Sequence, residues 1–293
     1  MKSKFTILVC GSKGQLGSAM KAESKSSVHR FVFTDMDEMD ISSEESVEAN
    51  FAKYRPDVLV NCAAYTAVDQ AEDEHLMAEL VNAKSVQILA EACYKNNVFM
   101  VHVSTDYVFD GRNFKPYTEE DNTNPLSVYG YTKLQGERNM ILSGCNGAVI
   151  RTSWLYSAYG NNFVKTILKH AALKDQLSVI FDQIGTPTYA NDLVIAILAM
   201  IDRHISMELV SVYHFSNEGV ASWYDFAQTI VEMSGINCTV MPIKSEEYPV
   251  KAQRPFYSVM DKSKIKSDLQ IVIPYWRDSL EKCIKELNGN EHS

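Results

Sequence analysis

Phe5 to Cys10 is a short, almost wholly apolar run that breaks directly into Gly11-Ser12-Lys13-Gly14-Gln15-Leu16-Gly17, after which a helical pattern begins. Three glycines at this spacing, between a strand and a helix, restrict what the chain can become. Glycine is required where a chain turns sharply off a buried strand, where its backbone must approach another group closely, and where a helix packs tightly on a sheet. The helix start then offers unpaired N–H groups and the positive end of its dipole. Together these hold an anion without any basic side chain. Strand, glycine turn and helix in this order fit an α/β unit that cradles a dinucleotide pyrophosphate.

The rest of the first half of the chain agrees with such a start. Short β-branched runs at Phe31 to Thr34, Val58 to Cys62, Val98 to Val103 and Ala148 to Thr152 alternate with helical patterns. That rhythm predicts a parallel sheet with helices on both faces. Ser42 with Glu45 fits a capping box opening one helix, and Leu76 to Ala92 carries apolar residues at helical spacing. After Thr152 the alternation weakens. Helices are expected near Asn162 to Leu173, Asn191 to Arg203 and Trp223 to Ser234, with strand-like pieces at Leu177 to Ile180 and Val210 to Phe215. No linker separates the halves, so residues 1–155 are expected to form the nucleotide-binding part. Residues 156–293 would form a smaller second region, with segments returning to the first sheet.

Charge narrows the partners. Lys and Arg total 28 against 37 Asp and Glu, a net −9 that repels polyanions and argues against a nucleic-acid partner. One stretch, Lys244 to Lys266, runs the other way, with six basic residues against three acidic ones. The six cysteines are scattered without a C-x-x-C pair, which points to reduced thiols rather than zinc or a redox couple. Phe5 to Cys10 is too short for a signal peptide, and Leu193 to Ile201 falls short of the ~20 apolar residues that span a bilayer. No membrane partner and a cytoplasmic location are expected.

Asp35 follows the second strand, eighteen residues beyond Gly17, near the ~20 at which an acidic residue meets the adenosine ribose. A carboxylate there favours NAD over NADP, while Lys13 would offset its repulsion of a 2′-phosphate, and Asp37 or Asp40 could be the residue that matters. NADPH and NADH both stay open. Farther along, the fourth strand ends in Ser104-Thr105-Asp106, the end at which open α/β sheets bind ligands. Tyr129 and Lys133 stand four apart at a helix start and so share one face. A ketone becoming an alcohol needs a hydride on carbon and a proton on oxygen, and Tyr129 would give the proton. Bringing a phenol from a pKa of ~10 toward 7 takes about 4 kcal/mol of phenolate stabilisation, expected from the Lys133 ammonium and a nicotinamide ring. Thr105 would donate a second hydrogen bond to the carbonyl oxygen.

These residues carry a resemblance. With GQLG at Gly14 to Gly17, RPDVLVNCAAYTAVDQAE at Arg55 to Glu72, STDYVFDG at Ser104 to Gly111, VYGYTKLQGE at Val128 to Glu137, RTSWLY at Arg151 to Tyr156, DQIGTPT at Asp182 to Thr188 and RP at Arg254, the chain resembles the extended short-chain dehydrogenase/reductases. Within that group it is similar, over nearly its whole length, to the dTDP-4-dehydrorhamnose reductase family. The resemblance implies a Rossmann-type doubly wound α/β fold and a catalytic set of Thr105, Tyr129 and Lys133. It also implies reduction of a dTDP-linked 4-keto-6-deoxy sugar to dTDP-L-rhamnose. By the same resemblance Gly11, Gly14, Gln15, Leu16 and Gly17 would meet the pyrophosphate, and Asp35, Asp40 and Ile41 the adenosine. Ala63, Ala64 and Tyr65 would line the cofactor cleft. Ser104, Asp106, Tyr107, Val108 and Trp154 would lie near sugar or nicotinamide, and Arg254 near the substrate pyrophosphate.

Some members of that family bind magnesium through acidic residues at a dimer contact. The corresponding positions here hold Ala19 and Asn191, so no metal site is expected, while a homodimer stays compatible with the resemblance. Two rivals remain: a sugar epimerase or dehydratase, the latter disfavoured because Tyr107 rather than an acid follows Asp106, and a non-catalytic NADP-binding regulatory subunit.

Overall fold

The structure, a computed structural model, describes residues 4–204 and 209–290. Its centre is a six-stranded parallel sheet. The first five strands are β1 (Thr6–Cys10), β2 (Arg30–Thr34), β3 (Val58–Asn61), β4 (Phe99–Thr105) and β5 (Gly147–Thr152). From edge to edge the order is β2, β1, β3, β4, β5 and then Val210–Phe215. Chain order reverses between β1 and β3, which opens a crevice beyond their carboxyl ends.

Successive residues of a strand point to opposite faces, and both faces are buried here. Ile7 and Val9 pack on one side with the helices Gln15–Glu23, Ala190–His204 and Ser263–Leu269, whereas Leu8 and Cys10 pack on the other with Glu44–Tyr54 and Ser85–Asn96. This explains why the strands read as continuous apolar runs. A separate core joins the helices Phe163–Ala171, Trp223–Ser234 and Trp276–Asn290 to a parallel ladder of Gln176–Ile180 with Thr239–Ile243. Val210–Phe215, late in the sequence, returns to pair with β5 in the main sheet.

Two local readings need correction. The helix Glu44–Tyr54 is capped by Ser43, whose side chain accepts the Ser46 N–H, and not by Ser42. Ser42 instead donates both its N–H and its hydroxyl to Asp40. The pattern at Leu76 to Ala92 is helical, but it contains a π turn at Leu80–Lys84 between His75–Glu79 and Ser85–Asn96. That turn carries Asn82, whose carboxamide grips both the N–H and the carbonyl of Tyr65 and donates to Thr132. A π turn at a point that fastens three segments is a familiar use of this irregularity.

Among the described residues no helix is long and apolar enough to cross a membrane. No group of three or more His, Cys, Asp or Glu among them could hold a metal ion.

Candidate active site

The glycine turn is shaped by backbone contacts. Gly11 has φ +70°, and a Cβ there would sit 2.6 Å from the Ala63 nitrogen. A Cβ on Gly17 would lie 2.4 Å from the Gly11 carbonyl oxygen, so the helix Gln15–Glu23 reaches the turn only because position 17 is bare. Gly14 caps that helix with no side-chain hydrogen bond, and the first turn carries no acid. Its N–H groups therefore remain available to an anion.

Beside the turn lies a cavity of 410 Å³, lined by Gly11, Gly14, Asp35, Asp40, Ile41, Ala63 and Ala64 among others. Asp35 stands at its edge with one carboxylate oxygen accepting the Lys13 N–H at 2.8 Å and the other accepting the Met36 N–H at 3.0 Å. Lys13 turns its ammonium to Asp37 at 2.7 Å, and that carboxylate holds the ammonium above the usual lysine range. Tyr65 is not part of this wall; its hydroxyl donates to the exposed Glu74 at 2.8 Å.

A second cavity, of 540 Å³, continues past Gly14, Gln15 and Leu16 to Ser104, Thr105, Asp106, Tyr107, Tyr129, Lys133 and Trp154. Two segments bring the reactive groups together. The end of β4 supplies Thr105 and runs into a single turn at Asp106–Val108. The helix Val128–Leu142 begins at Ser127, whose hydroxyl accepts the Gly130 N–H, and so presents Tyr129 and Lys133 one turn apart. A Cβ on Gly130 would lie 2.2 Å from the Tyr107 carbonyl oxygen. The missing side chain lets the helix start press against the turn, and the Tyr107 and Tyr129 rings meet edge to face at 5.5 Å.

Burial dominates the electrostatics. It pushes the Tyr129 phenol up to about 12, with Thr105 pulling down and Asp106 pushing up. The lowering toward 7 expected from Lys133 together with a nicotinamide ring is not found in the protein by itself, where burial dominates; the Lys133 ammonium donates to the Val103 carbonyl at 2.7 Å. Burial also brings Lys133 down to about 8, although Glu137 acts to raise it. Asp106 is pushed up to about 6 by burial, and its Oδ2 is buried without a hydrogen-bond partner among the described residues. The Ser104 hydroxyl donates to Glu137, which forms a buried ion pair with Arg151 at 2.8 Å.

Two sequence candidates sit elsewhere. Val108 is fully buried, in a small cluster with Phe109, Tyr117 and Leu134 behind the cavity wall. Arg254 lines a neighbouring cavity of 610 Å³, with its guanidinium paired to both oxygens of Asp69 at 2.7 and 3.1 Å. One residue that the sequence did not single out links the two spaces: Trp223 lines both cavities and stacks on Trp154 at 3.6 Å. Trp154 has φ +48°, and a Cβ on Gly185 would sit 2.7 Å from its ring. The S-x-x-D cap at Ser222 and Asp225 was the available signal for the helix start, yet nothing local to position 223 announces its partner.

The arrangement can place a dinucleotide across the β1–β3 crevice, and a half-buried phenol with a buried hydroxyl and ammonium beyond its far end. Comparison with known proteins gives the same neighbourhood. The dTDP-4-dehydrorhamnose reductase of Sinorhizobium fredii is 39% identical over 285 residues, covering 95% of this chain and 96% of that protein. The spore coat polysaccharide biosynthesis protein SpsK of Bacillus subtilis is 38% identical over 280 residues, covering 96% and 97%. The crystal structure of the Bacillus anthracis dTDP-4-dehydrorhamnose reductase in complex with NADP superposes with a TM-score of 0.91 at 35% identity, covering 97% of this chain and all of that one. With the profile of the RmlD substrate binding domain matching residues 5–288, this chain belongs to the RmlD family.

Proposed function

We propose that this protein is a reductase that uses NADPH or NADH to convert dTDP-4-dehydro-6-deoxy-L-mannose (dTDP-4-dehydro-L-rhamnose) to dTDP-L-rhamnose. The observation that carries this is the convergence of Thr105, Tyr129 and Lys133 in one cavity that runs on from the glycine turn. In this reading residues 1–155 hold the cofactor and residues 156–293 mainly the sugar nucleotide. Gly11, Gly14, Gln15 and Leu16 receive the pyrophosphate, with Gly17 as the close-packing glycine beneath it. Asp35, Asp40, Ile41, Ala63 and Ala64 enclose the adenosine. The missing Cβ atoms at Gly11 and Gly17 and the uncapped helix start fit such a group.

A bound reduced nicotinamide supplies the hydride. Tyr129 supplies the proton: its raised pKa keeps the phenol protonated at neutral pH, the state a donor must start from. Thr105 donates to the carbonyl oxygen as negative charge develops there. Lys133 is the nearby cation and, held on the Val103 carbonyl, keeps other N–H donors for the cofactor ribose. The stacked Trp154 and Trp223 give the sugar an apolar platform. The 610 Å³ cavity on the other side of Trp223 has room for the nucleoside, with Arg254 toward the pyrophosphate. Reduction of a soluble nucleotide sugar agrees with a cytoplasmic site of action.

The test is loss of absorbance by NADPH and by NADH with dTDP-4-dehydro-L-rhamnose generated in situ. Rapid oxidation that disappears in Tyr129→Phe is expected. Cofactor binding without oxidation of either cofactor would overturn the reading in favour of another sugar nucleotide, an epimerase or a regulatory role.

A further inference from the structure

Behind the reactive cation lies a polar pair that the proposed chemistry leaves unused. Asn61 ends β3 and His102 lies on β4, both fully buried. The N–H of Ala63 can only donate, and it meets Asn61 Oδ1 at 3.0 Å. This orients the carboxamide, whose NH₂ faces His102 Nδ1 at 3.1 Å. An NH₂ also can only donate, so Nδ1 must accept. Burial, reinforced by Lys133, drives the imidazole well below the ordinary histidine range and keeps it neutral. Its single ring proton is therefore on Nε2, and Nε2 faces Lys133 Nζ at 3.5 Å. An N–H directed at an ammonium opposes the charge. Directed at an amine, it meets a lone pair.

We propose that His102, fixed by Asn61 as the Nε2–H tautomer, is a positioning residue that disfavours the ammonium form of Lys133 and so sets the pH above which the site loses its cation. The other groups around Lys133 do not supply this effect. On its own helix Tyr129 is a neutral phenol, and Glu137, paired with Arg151 of β5, favours the ammonium and so opposes His102. Past the end of β3, burial pushes the Cys62 thiol up to about 12, leaving it uncharged. From β4 come the Val103 carbonyl, which accepts from either form of the lysine, and His102 itself. Asp106, after the end of β4, acts on Tyr129.

The consequence for turnover rests on the reductase reading, but the hydrogen-bond arrangement can be read in cofactor-free protein. In ¹⁵N-histidine NMR of the wild type, His102 is expected to show an unprotonated Nδ1 and a protonated Nε2. Asn61→Ala frees Nδ1 without adding charge, so the imidazole can turn its Nε2 lone pair to the lysine. The titration midpoint of Lys133, followed by its ¹³Cε signal and assigned by loss of that signal in Lys133→Met, should then rise by about one pH unit. That is the scale of one hydrogen bond to a charged group. The alkaline limb of turnover should move with it. A protonated Nδ1 in the wild type, or an unmoved midpoint in folded Asn61→Ala, overturns the proposal. Should Asn61→Ala fail to fold, the wild-type tautomer decides. A wild type that reduces no sugar ketone would count against the reductase reading and leave both NMR outcomes readable.

Discussion

The two ends of the cleft are built on different principles. Around Gly11 to Gly17 the site is backbone: bare glycines, an uncapped helix start, and alanines at positions 63 and 64. Around the end of β4 it is a set of buried ionisable side chains, with His102, Asp106, Lys133, Glu137 and Arg151 each no more than 5% exposed. The first end is suited to binding through shape and oriented dipoles and carries little internal electrostatic cost. The second removes charges from water and holds them by neighbours, which costs stability and yields altered proton affinities. Recognition and reactivity are thus separable, and substitutions at the two ends should fail in different ways.

The largest effect is expected at the reactive end. Tyr129→Phe should lower turnover by several hundredfold or more while NADPH binding, followed by fluorescence titration, stays within a few-fold of wild type; removal of a positioned proton donor commonly costs ~10²–10⁴. Near-normal turnover would remove Tyr129 from this role. The reverse pattern is expected at the glycine end. Gly17→Ala puts a methyl 2.4 Å from the Gly11 carbonyl oxygen, so the turn must shift, and cofactor affinity should fall by on the order of tenfold or more. A fully folded Gly17→Ala protein that binds NADPH normally would separate the turn from the cofactor.

A third substitution tests the cost of buried charge. The folded protein keeps the Asp106 proton up to about pH 6, whereas an ordinary aspartate releases it near 3.8. A raised acid pKa means that stability is fully present at low pH and declines as pH rises through that window. Asp106→Asn should therefore unfold at higher denaturant than wild type at pH 8, by up to roughly 3 kcal/mol, and the advantage should vanish near pH 3.5. Equal stability at pH 8 would show that the carboxylate is accommodated without cost. The smallest effect is expected from Asp35→Ala, a several-fold shift of kcat/KM preference toward NADPH. The change is small because Asp35 spends both oxygens on backbone N–H groups and its removal also loosens the turn. An unchanged ratio would take Asp35 out of cofactor selection.

The glycine end was legible because its signals are local. A Gly spacing after an apolar run reports a turn, and strands buried on both faces read as unbroken apolar segments. Tyr129 and Lys133 were legible for the same reason, since residues four apart on a helix share a face whatever surrounds it. What the spacing could not show is the burial that raises the Tyr129 phenol and the contact from another element, the Val103 carbonyl that accepts from Lys133. Val108 and Tyr65 show the same limit: each lies beside cavity residues in sequence, yet Val108 packs behind the wall and Tyr65 turns out to Glu74.

By itself, then, the sequence determined the strand and helix rhythm, the glycine turn and which side chains can do proton chemistry, because these depend on neighbours a few residues away. Only the tertiary structure decided that Val210–Phe215 closes the sheet beside β5, that Trp223 stacks on Trp154, that Asp69 holds Arg254, and that the His102 ring lies between Asn61 and Lys133. Each of those unites residues 31 to 185 positions apart, and no periodicity spans such distances. They are settled when whole elements compete for the same buried space and every polar group left inside must find a partner.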